Sequence, residues 1–451
     1  MKTRRSVLAV AALAFAGAAS SAHAAGGDVV LQAIGSVSNS GVVGGVRGYV
    51  LGSNTCNIGT LNIAWTSNST PGLGMNAFRL HNGRLEQVGQ SWCKLACCAA
   101  AGSGCGMSCN GQGGSVLGAG CLDVYGSGWN SIQNRMGPRS QINAYTGQFV
   151  TSGGGSGFSA ISRHIQVAES DMSVANFPGA RFFVEGIYVS TEDAQAGAAT
   201  NNTTYQAVNV STGGATPTYA MSLSGAVFPQ IPAIRAWRDH GLGVNNPDTS
   251  VAIGSFFVPG EGNFHYGHKV RDNGNGTWTY DYAVYNLNSD RSGGSLSIPV
   301  PEGVTITNIG FHDVDYHSGE VYDNTDWANG RGTTDVAWNS PQTHAQNPNS
   351  NALRWGTMYN FWFTANRPPA SSRQGTLGLF KPGTPASVNF SVSAPQKCRG
   401  DHNGVGGVSV QDLFDFLEDY FGNVMTSDVN NSGGLSVQDI FDFLALYFGP
   451  C

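Results

Sequence analysis

The chain has 451 residues and a formal net charge of −6, with 12% charged residues, 63 glycines and nine tryptophans. Because the charge includes no basic block, we exclude nucleic acid as a partner. Abundant glycine and few charges favour an extracellular, β-rich protein over a helical or disordered one.

The first residues predict an export signal. A basic start through Arg5 precedes an apolar run from Val7 to Ala19, and Ala22-His23-Ala24 is a small-residue cleavage pattern. We expect a signal peptide over residues 1–24, exported by the general or the twin-arginine route, and a secreted protein that is extracellular or cell-surface associated. No later segment is long and apolar enough to span a bilayer, so we predict no transmembrane segment after signal removal.

Cysteines cluster in a glycine-rich stretch after the first predicted strands. Six lie between Cys93 and Cys121, and Cys56 lies upstream. In an exported chain this pattern predicts a disulfide-pinned insertion. Zinc is the alternative, since Cys105 and Cys109 have tolerable ligand spacing, but no second pair matches them. Seven cysteines before the C-terminal segment leave one as a free or intermolecular thiol.

Strand signals recur along the body, residues 25–395. Trp278, Tyr280 and Tyr282 alternate with other residues after a glycine-rich turn, and residues 264–270 alternate before it. Residues 296–300 and 304–309 flank a Pro-Glu-Gly turn and predict another pair of strands. The fold class is therefore mainly β, a β-sandwich-type body that forms one large or two smaller β domains. We place an N-terminal β region with the cysteine-rich loop over residues 25–155 and a β-sandwich over 156–395.

The densest polar cluster follows the strand at 304–309. If the chain stays extended, Asp313, Asp315 and His317 share one face. Two carboxylates and an imidazole together predict an acid/base site for hydrolysis, or a divalent metal near His312–His317. The alternative is a polar loop in which the acids cap turns and the histidines donate hydrogen bonds.

Aromatic rings near this cluster predict a sugar-binding surface. Trp327, Trp338 and Trp355 are the candidates, because a flat ring face suits a pyranose. The alternative is that these rings belong to the core, and their exposure decides between the two.

The end of the chain is duplicated. The segment that begins at Asp401 recurs from Asp428, and each copy has oxygen-bearing side chains at positions 1, 3 and 12 and a glycine at position 6. This is the layout of a twelve-residue calcium loop.

Apolar residues with helical spacing follow each loop. They predict a helix in each copy, with stripes that bury each other. The stripes consist of Val410, Leu413, Phe414, Leu417 and Phe421 in the first copy, and of Val437, Ile440, Phe441, Leu444 and Phe448 in the second.

The duplicated segment, about residues 397–451, resembles a dockerin. The resemblance implies a small helical module that binds calcium and attaches a secreted protein to a cohesin-type partner or cell-surface assembly. The implied ligands are Asp401, Asn403, Asp412 and the Gly407 carbonyl in loop one, and Asp428, Asn430, Ser432, Asp439 and the Gly434 carbonyl in loop two. Position 5 departs from the family pattern: Val405 offers a cation no ligand, so loop one should bind calcium more weakly.

Cys398 and Cys451 bracket the module. We predict a disulfide between them, which would contribute about 4 kcal/mol in the chain-entropy model. Two functions remain open for the whole chain. It is either a tethered, non-catalytic protein that recognises a glycan or builds a surface assembly, or a tethered hydrolase acting on polysaccharide.

Overall fold

The computed structural model describes residues 25–67, 70–151, 153–214, 216–405 and 407–449. The predicted signal peptide over residues 1–24 and Cys451 lie outside these ranges, so the signal and the Cys398–Cys451 disulfide stay predictions. The described part is mainly β and ends in a small helical region, which confirms the predicted fold class.

The strands follow one another in chain order. They are β1 Val29–Val43, β2 Val46–Asn57, β3 Ile63–Ala64, β4 Gly72–His81, β5 Arg84–Gln90, β6 Cys93–Leu95, β7 Val116–Leu117, β8 Leu122–Tyr125, β9 Met136–Gly137, β10 Ile142–Asn143, β11 Gln148–Phe149, β12 Ile165–Ala168, β13 Arg181–Val189, β14 Thr203–Val210, β15 Met221–Pro229, β16 Ala252–Val258, β17 Gly262–Asp272, β18 Trp278–Asn286, β19 Gly293–Pro299, β20 Ile306–His312, β21 Ala328–Arg331, β22 Asp335–Asn339, β23 Thr357–Ala365, β24 Pro369–Leu379 and β25 Ser387–Pro395.

Helices are short in the body and longer in the tail. They are α1 Ser127–Asn130, α2 Glu169–Met172, α3 Thr191–Gln195, α4 Ala236–Asp239, α5 Val410–Phe421 and α6 Val437–Phe448, with 3₁₀ turns at Gln133–Arg135, Arg139–Gln141, Ala233–Arg235 and Met425–Ser427. Within the described ranges, no helix is long and apolar enough to cross a bilayer.

In the described residues, four larger antiparallel sheets build the body, and two small sheets of two strands each, β3-β7 and β10-β11, accompany them. The first has the order β1-β2-β12 with β8 also on β2, and the second has the order β15-β14-β13-β4-β6-β9 with β5 also on β4. The third has the order β16-β17-β18-β23-β20, and the fourth has the order β21-β22-β19-β24-β25. Because β12 and β13 pair with β2 and β4, the boundary predicted at residue 155 does not coincide with a division between sheets.

Three apolar cores lie between successive sheets. Leu31 and Tyr49 from the first sheet pack with Val184 from the second, while Leu296 and Trp338 from the fourth belong to a core with the third. The remaining core joins the second sheet to the third. The body is therefore two sandwiches whose inner sheets also pack on each other.

The strand β18 shows how this stacking shapes the sequence. Tyr280 and Tyr282 point to the core shared with the fourth sheet, whereas Ala283 and Tyr285 belong to the core shared with the second sheet. The predicted strand at 278–284 is present, but it is buried on both faces. The strands predicted at 296–300 and 304–309 are present as β19 and β20, but they belong to different sheets and do not pair across the turn.

A buried polar layer joins the second and third sheets. Glu185 is fully buried and accepts hydrogen bonds from the Ala233 amide at 2.7 Å, the Asn76 amide group at 2.8 Å and the Tyr285 hydroxyl at 3.0 Å. Burial raises the pKa of Glu185, although these bonds oppose the shift. The layer fixes how the sandwiches meet, because each partner would otherwise be buried without a hydrogen bond.

Disulfides pin the cysteine-rich insertion as predicted. Cys56 pairs with Cys105, Cys97 with Cys98, and Cys109 with Cys121, so the cysteines proposed as zinc ligands are oxidised instead. Cys93 is the remaining thiol of the body; it is fully buried, and burial raises its pKa to about 12. A buried thiol of this kind is unreactive.

The two tail helices pack through their inner rings. Phe416 and Phe443 are buried and stack with centroids 4.1 Å apart and planes 5° apart. The predicted mutual burial of the apolar stripes is therefore wrong for their outer members, which stay exposed on both helices. These are Val410, Phe414 and Phe421 on α5, and Val437, Phe441 and Phe448 on α6.

Candidate functional site

Each tail loop feeds directly into a capped helix. Ser409 and Ser436 are the N-caps of α5 and α6, and in each helix the aspartate at the third position completes a capping box. Asp412 and Asp439 therefore hold the helix start while they stand at position 12 of the loops. In each copy, one carboxylate therefore both caps the helix and is the implied ligand at the end of the loop.

Loop two gathers oxygen atoms from four implied ligands. The Ser432 hydroxyl lies 3.0 Å from the Gly434 carbonyl oxygen and 3.5 Å from Asp428 Oδ1. The Ser432 amide donates to Asp428 Oδ1 at 2.9 Å and to Asn430 Oδ1 at 3.0 Å. Oxygens that share a calcium ion at about 2.4 Å lie roughly 3 Å apart, so this spacing fits a hard cation.

Glycine is required at position 6 of loop two. Gly433 has φ +89°, a left-handed conformation, and its amide donates to Asp428 Oδ2 at 2.8 Å. The turn thus orients the Asp428 carboxylate toward the loop interior.

Loop one shares part of this geometry. The Asp401 carboxylate is buried, accepts the Gly404 amide at 2.8 Å and also hydrogen-bonds the Asp412 carboxyl group. Burial, and then the charge of Asp412, raise the pKa of Asp401. Two acids in contact favour either a shared proton or a cation between them. Val405 contributes no oxygen, since its side chain is apolar and 62% exposed.

The asparagines at position 3 present their oxygens inward in both loops. The Asn403 amide nitrogen donates to Asp415 and that of Asn430 donates to Asp442, which fixes both amide groups. Asn403 Oδ1 accepts the Val405 amide at 2.9 Å, as Asn430 Oδ1 accepts the amide of the corresponding serine. The residues present therefore fit calcium, a cation that takes carboxylate, amide and carbonyl oxygens.

Within the described ranges, no three His, Cys, Asp or Glu side chains gather as a metal site. Each tail loop has two aspartates among its implied ligands, and its other implied ligand oxygens come from amide, hydroxyl or carbonyl groups. The segment His312–His317, where we predicted an additional divalent metal, lies within the described ranges and likewise contains no such group of three side chains.

A separate cavity in the body contains the predicted polar cluster. It has a volume of about 390 Å³ and is lined by Asp313, Asp315 and His317 together with Asp171 and Gln87. β20 ends at His312, so the acids lie on the segment that leaves the third sheet beside the first two. The extended strand expected through His317 is absent, but its three polar side chains reach one cavity.

The two acids of the cavity differ in their surroundings. Burial raises the pKa of Asp313 to about 6, and the charges of Asp326 and Asp315 act in the same direction. Burial and then Asp326 also raise the pKa of Asp315, which is exposed. An acid with a raised pKa beside a more accessible carboxylate is an arrangement that serves hydrolysis below about pH 6.

His317 has a structural role in the cavity wall. Its Nε2 lies 2.7 Å from the Gln90 carbonyl oxygen and must donate to it, while Nδ1 lies 2.9 Å from the Ser318 hydroxyl. Burial lowers the pKa of His317 to about 4. Because both ring nitrogens are engaged, the imidazole cannot exchange a proton with a substrate as the sequence suggested.

The predicted aromatic surface is absent. Trp327, Trp338 and Trp355 are 1%, 0% and 3% exposed, and each indole nitrogen donates to a backbone carbonyl. They are core residues, because large rings fill the space between stacked sheets.

Sequence reasoning missed Asp171 and Asp326. Asp171 lines the acidic cavity and forms an ion pair with Arg79 at 2.8 Å. The charge of Asp326 raises the pKa of both Asp313 and Asp315. Asp326 stood in the polar segment itself. Asp171 lies far away in the chain, and only the pairing of β12 with β2 brings its segment to the cavity.

Comparisons with known proteins assign no family to the chain. No family model and no curated protein matches the chain. A solved structure titled "Inhibition of the exo-beta-D-glucosaminidase CsxA by a glucosamine-configured castanospermine and an amino-australine analogue" aligns with 77% of this chain at 9% identity and a TM-score of 0.14. The chain covers 25% of that protein. Such a score does not indicate a shared fold, so we transfer no residue role.

Proposed function

We propose that the duplicated tail binds calcium in its two loops, more tightly in loop two, and attaches a secreted β body to a partner. The observation that carries the proposal is that hydrogen bonds of Ser432 bring oxygens of Asp428, Asn430 and Gly434 together in loop two. The sequence resemblance to dockerins supports the same assignment.

The partner surface is the repeated apolar stripe on the helices. Phe414 and Phe441 stand at equivalent positions and are each 61% exposed. A pair of phenylalanines left in water at the same site of both copies favours contact with another protein. A cohesin-type protein or a cell-surface assembly is the partner that the resemblance implies.

Export and the extracellular location belong to the same proposal. Disulfides in the body fit an oxidising compartment. The sequence of residues 1–24 has the pattern of an export signal, which supports the same proposal. The body would then be the part presented at the surface, where it serves recognition, structure or catalysis.

Calcium titration of the full chain tests the proposal. We expect calcium to raise the midpoint of thermal unfolding of the tail and magnesium at the same concentration to do less, because magnesium demands stricter octahedral geometry. A chain that loses every calcium response when Asp401, Asp412, Asp428 and Asp439 are changed to Asn would support it. No response of the unmodified chain to calcium would refute it.

A second candidate function is hydrolysis of polysaccharide in the acidic cavity. The pKa of Asp313, raised to about 6, favours it as the proton donor, with the exposed Asp315 as the base. Turnover of a polysaccharide should fall as pH rises above about 6, since Asp313 then loses its proton. Asp315→Asn should abolish that turnover with little change in thermal stability. Full turnover in this variant would exclude the assignment.

A further inference from the structure

A second cavity opens at the edge of the second sheet. It adjoins the acidic cavity at α2, where Met172 lines this cavity and Asp171 lines the other. It has a volume of about 310 Å³ and lies where β13 begins and β14 ends. Phe177, Val208 and Val244 form apolar walls, and Val244 is exposed at the rim. This volume is at the lower end of sites for small organic ligands.

Arg181 places a positive charge in this apolar cavity without a counter-ion. Its Nη2 donates to the Gly241 carbonyl at 3.1 Å, and its Nε has no hydrogen-bond partner. In the part of the chain that the structure describes, it forms no ion pair. Burial lowers its pKa. A partly buried guanidinium is stabilised by an anion that replaces its lost water.

His240 lines the same cavity with a buried ring. Its ring is 2% exposed and its Nδ1 accepts the Asn245 amide at 3.0 Å, which leaves the proton on Nε2. Nε2 has no hydrogen-bond partner. Burial lowers the pKa of His240, so the ring adds no second charge. The cavity thus carries one positive charge, among apolar residues and the polar side chains of Asn209, Thr212 and Ser224.

We propose that this cavity binds a small monocarboxylate with an aliphatic or aromatic body. The carboxylate pairs with the Arg181 guanidinium, and the apolar part contacts Phe177, Val208 and Val244. A neutral ligand would leave the guanidinium unpaired, and a dianion would bury one unmatched charge. The proposal does not rest on calcium binding or on the chemistry of the acidic cavity.

Calorimetric titration of the full chain with octanoate tests this assignment, with 1-octanol as the uncharged probe. Octanoate should bind the unmodified chain, and Arg181→Gln should weaken it at least tenfold while octanol binding stays the same. Arg373→Gln is the matched control, because Arg373 is an exposed arginine on β24, and it should bind octanoate normally.

A second variant keeps the test decisive if Arg181→Gln does not fold. Val244→Asp adds a carboxylate at the exposed rim, so it should weaken octanoate binding and spare octanol binding. Octanoate that does not bind the unmodified chain, or that binds both variants as tightly as the unmodified chain, would overturn the proposal.

Discussion

Loop one and loop two have the same hydrogen bonds at positions 3 and 12 but differ in the side chain at position 5. In both, an aspartate at position 12 caps the following helix, and an asparagine at position 3 is held by an acid on that helix. The two loops differ at position 5, since Ser432 lies among the oxygens of the implied ligands and Val405 points to solvent. The comparison teaches that duplicated loops can retain their hydrogen bonds while one loses a ligand.

The shared ring pair should matter most, because both loops depend on it. Phe443→Ala removes a buried ring that stacks on Phe416, which should cost about 3–5 kcal/mol of tail stability. Phe416→Ala should cost a similar amount, since the pair is symmetric. Chemical denaturation monitored by helix signal in the full chain measures both. Unequal losses would show that the two copies do not share one core.

Asp428→Ala should have the next largest effect, on calcium affinity. It removes a carboxylate that accepts the amides of Ser432 and Gly433, so loop two loses both a charge and its turn. We expect roughly a tenfold or greater loss of the tighter binding event in calorimetry. Asp428→Asn serves as the control that retains an oxygen, and it should lose less.

Val405→Asp should sharpen the comparison in the opposite direction. A carboxylate at position 5 would give loop one the ligand it lacks, and we expect about a tenfold gain in its calcium affinity. Val424→Asp adds the same charge at another exposed tail residue and is the matched control. An equal gain in calcium affinity in the control would show that the effect comes from the added negative charge and not from a new ligand in loop one.

Asp401→Ala should reduce calcium binding less than Asp428→Ala does. Loop one already lacks the position 5 ligand, so we expect roughly a threefold change in the total response. Calcium-dependent protection from proteolysis is the measurement. A loss as large as that of Asp428→Ala would contradict the ranking of the loops.

Ser432→Ala should have the smallest effect of the series. A hydroxyl oxygen is a neutral ligand, so its loss should weaken loop two by a few-fold, about 1 kcal/mol or less. Calorimetry under the conditions used for Asp428→Ala measures it. No change at all would mean that the oxygens near Ser432 do not share a cation.

Local patterns in the sequence predicted the strands and loops well. Alternation around Tyr280 and Tyr282 gave β18, and cysteine clustering gave the pinned insertion. Partners of a strand depend on contacts far apart in the chain, so the turn between β19 and β20 did not reveal that these strands belong to different sheets. The apolar stripes of the tail failed for a similar reason: helical spacing marks an apolar face, but it cannot say whether Phe414 or Phe416 meets the other helix.

The candidate site in the body was only partly predictable. Asp313 and Asp315 were found because they lie close in sequence, and the fold brings them to one cavity. The engagement of both His317 nitrogens depends on Gln90 and Ser318, of which Gln90 is distant in the chain. Burial of the tryptophans likewise follows from how four sheets stack, which no local pattern encodes.

Amide shifts during a calcium titration test the central claim most directly. The Gly433 amide donates to Asp428 in loop two, and the Gly404 amide donates to Asp401 in loop one, so each reports on one carboxylate. We predict that the Gly433 resonance of the full chain moves and saturates at lower calcium than the Gly404 resonance. Two resonances that move together, or that do not move, would contradict calcium binding led by loop two.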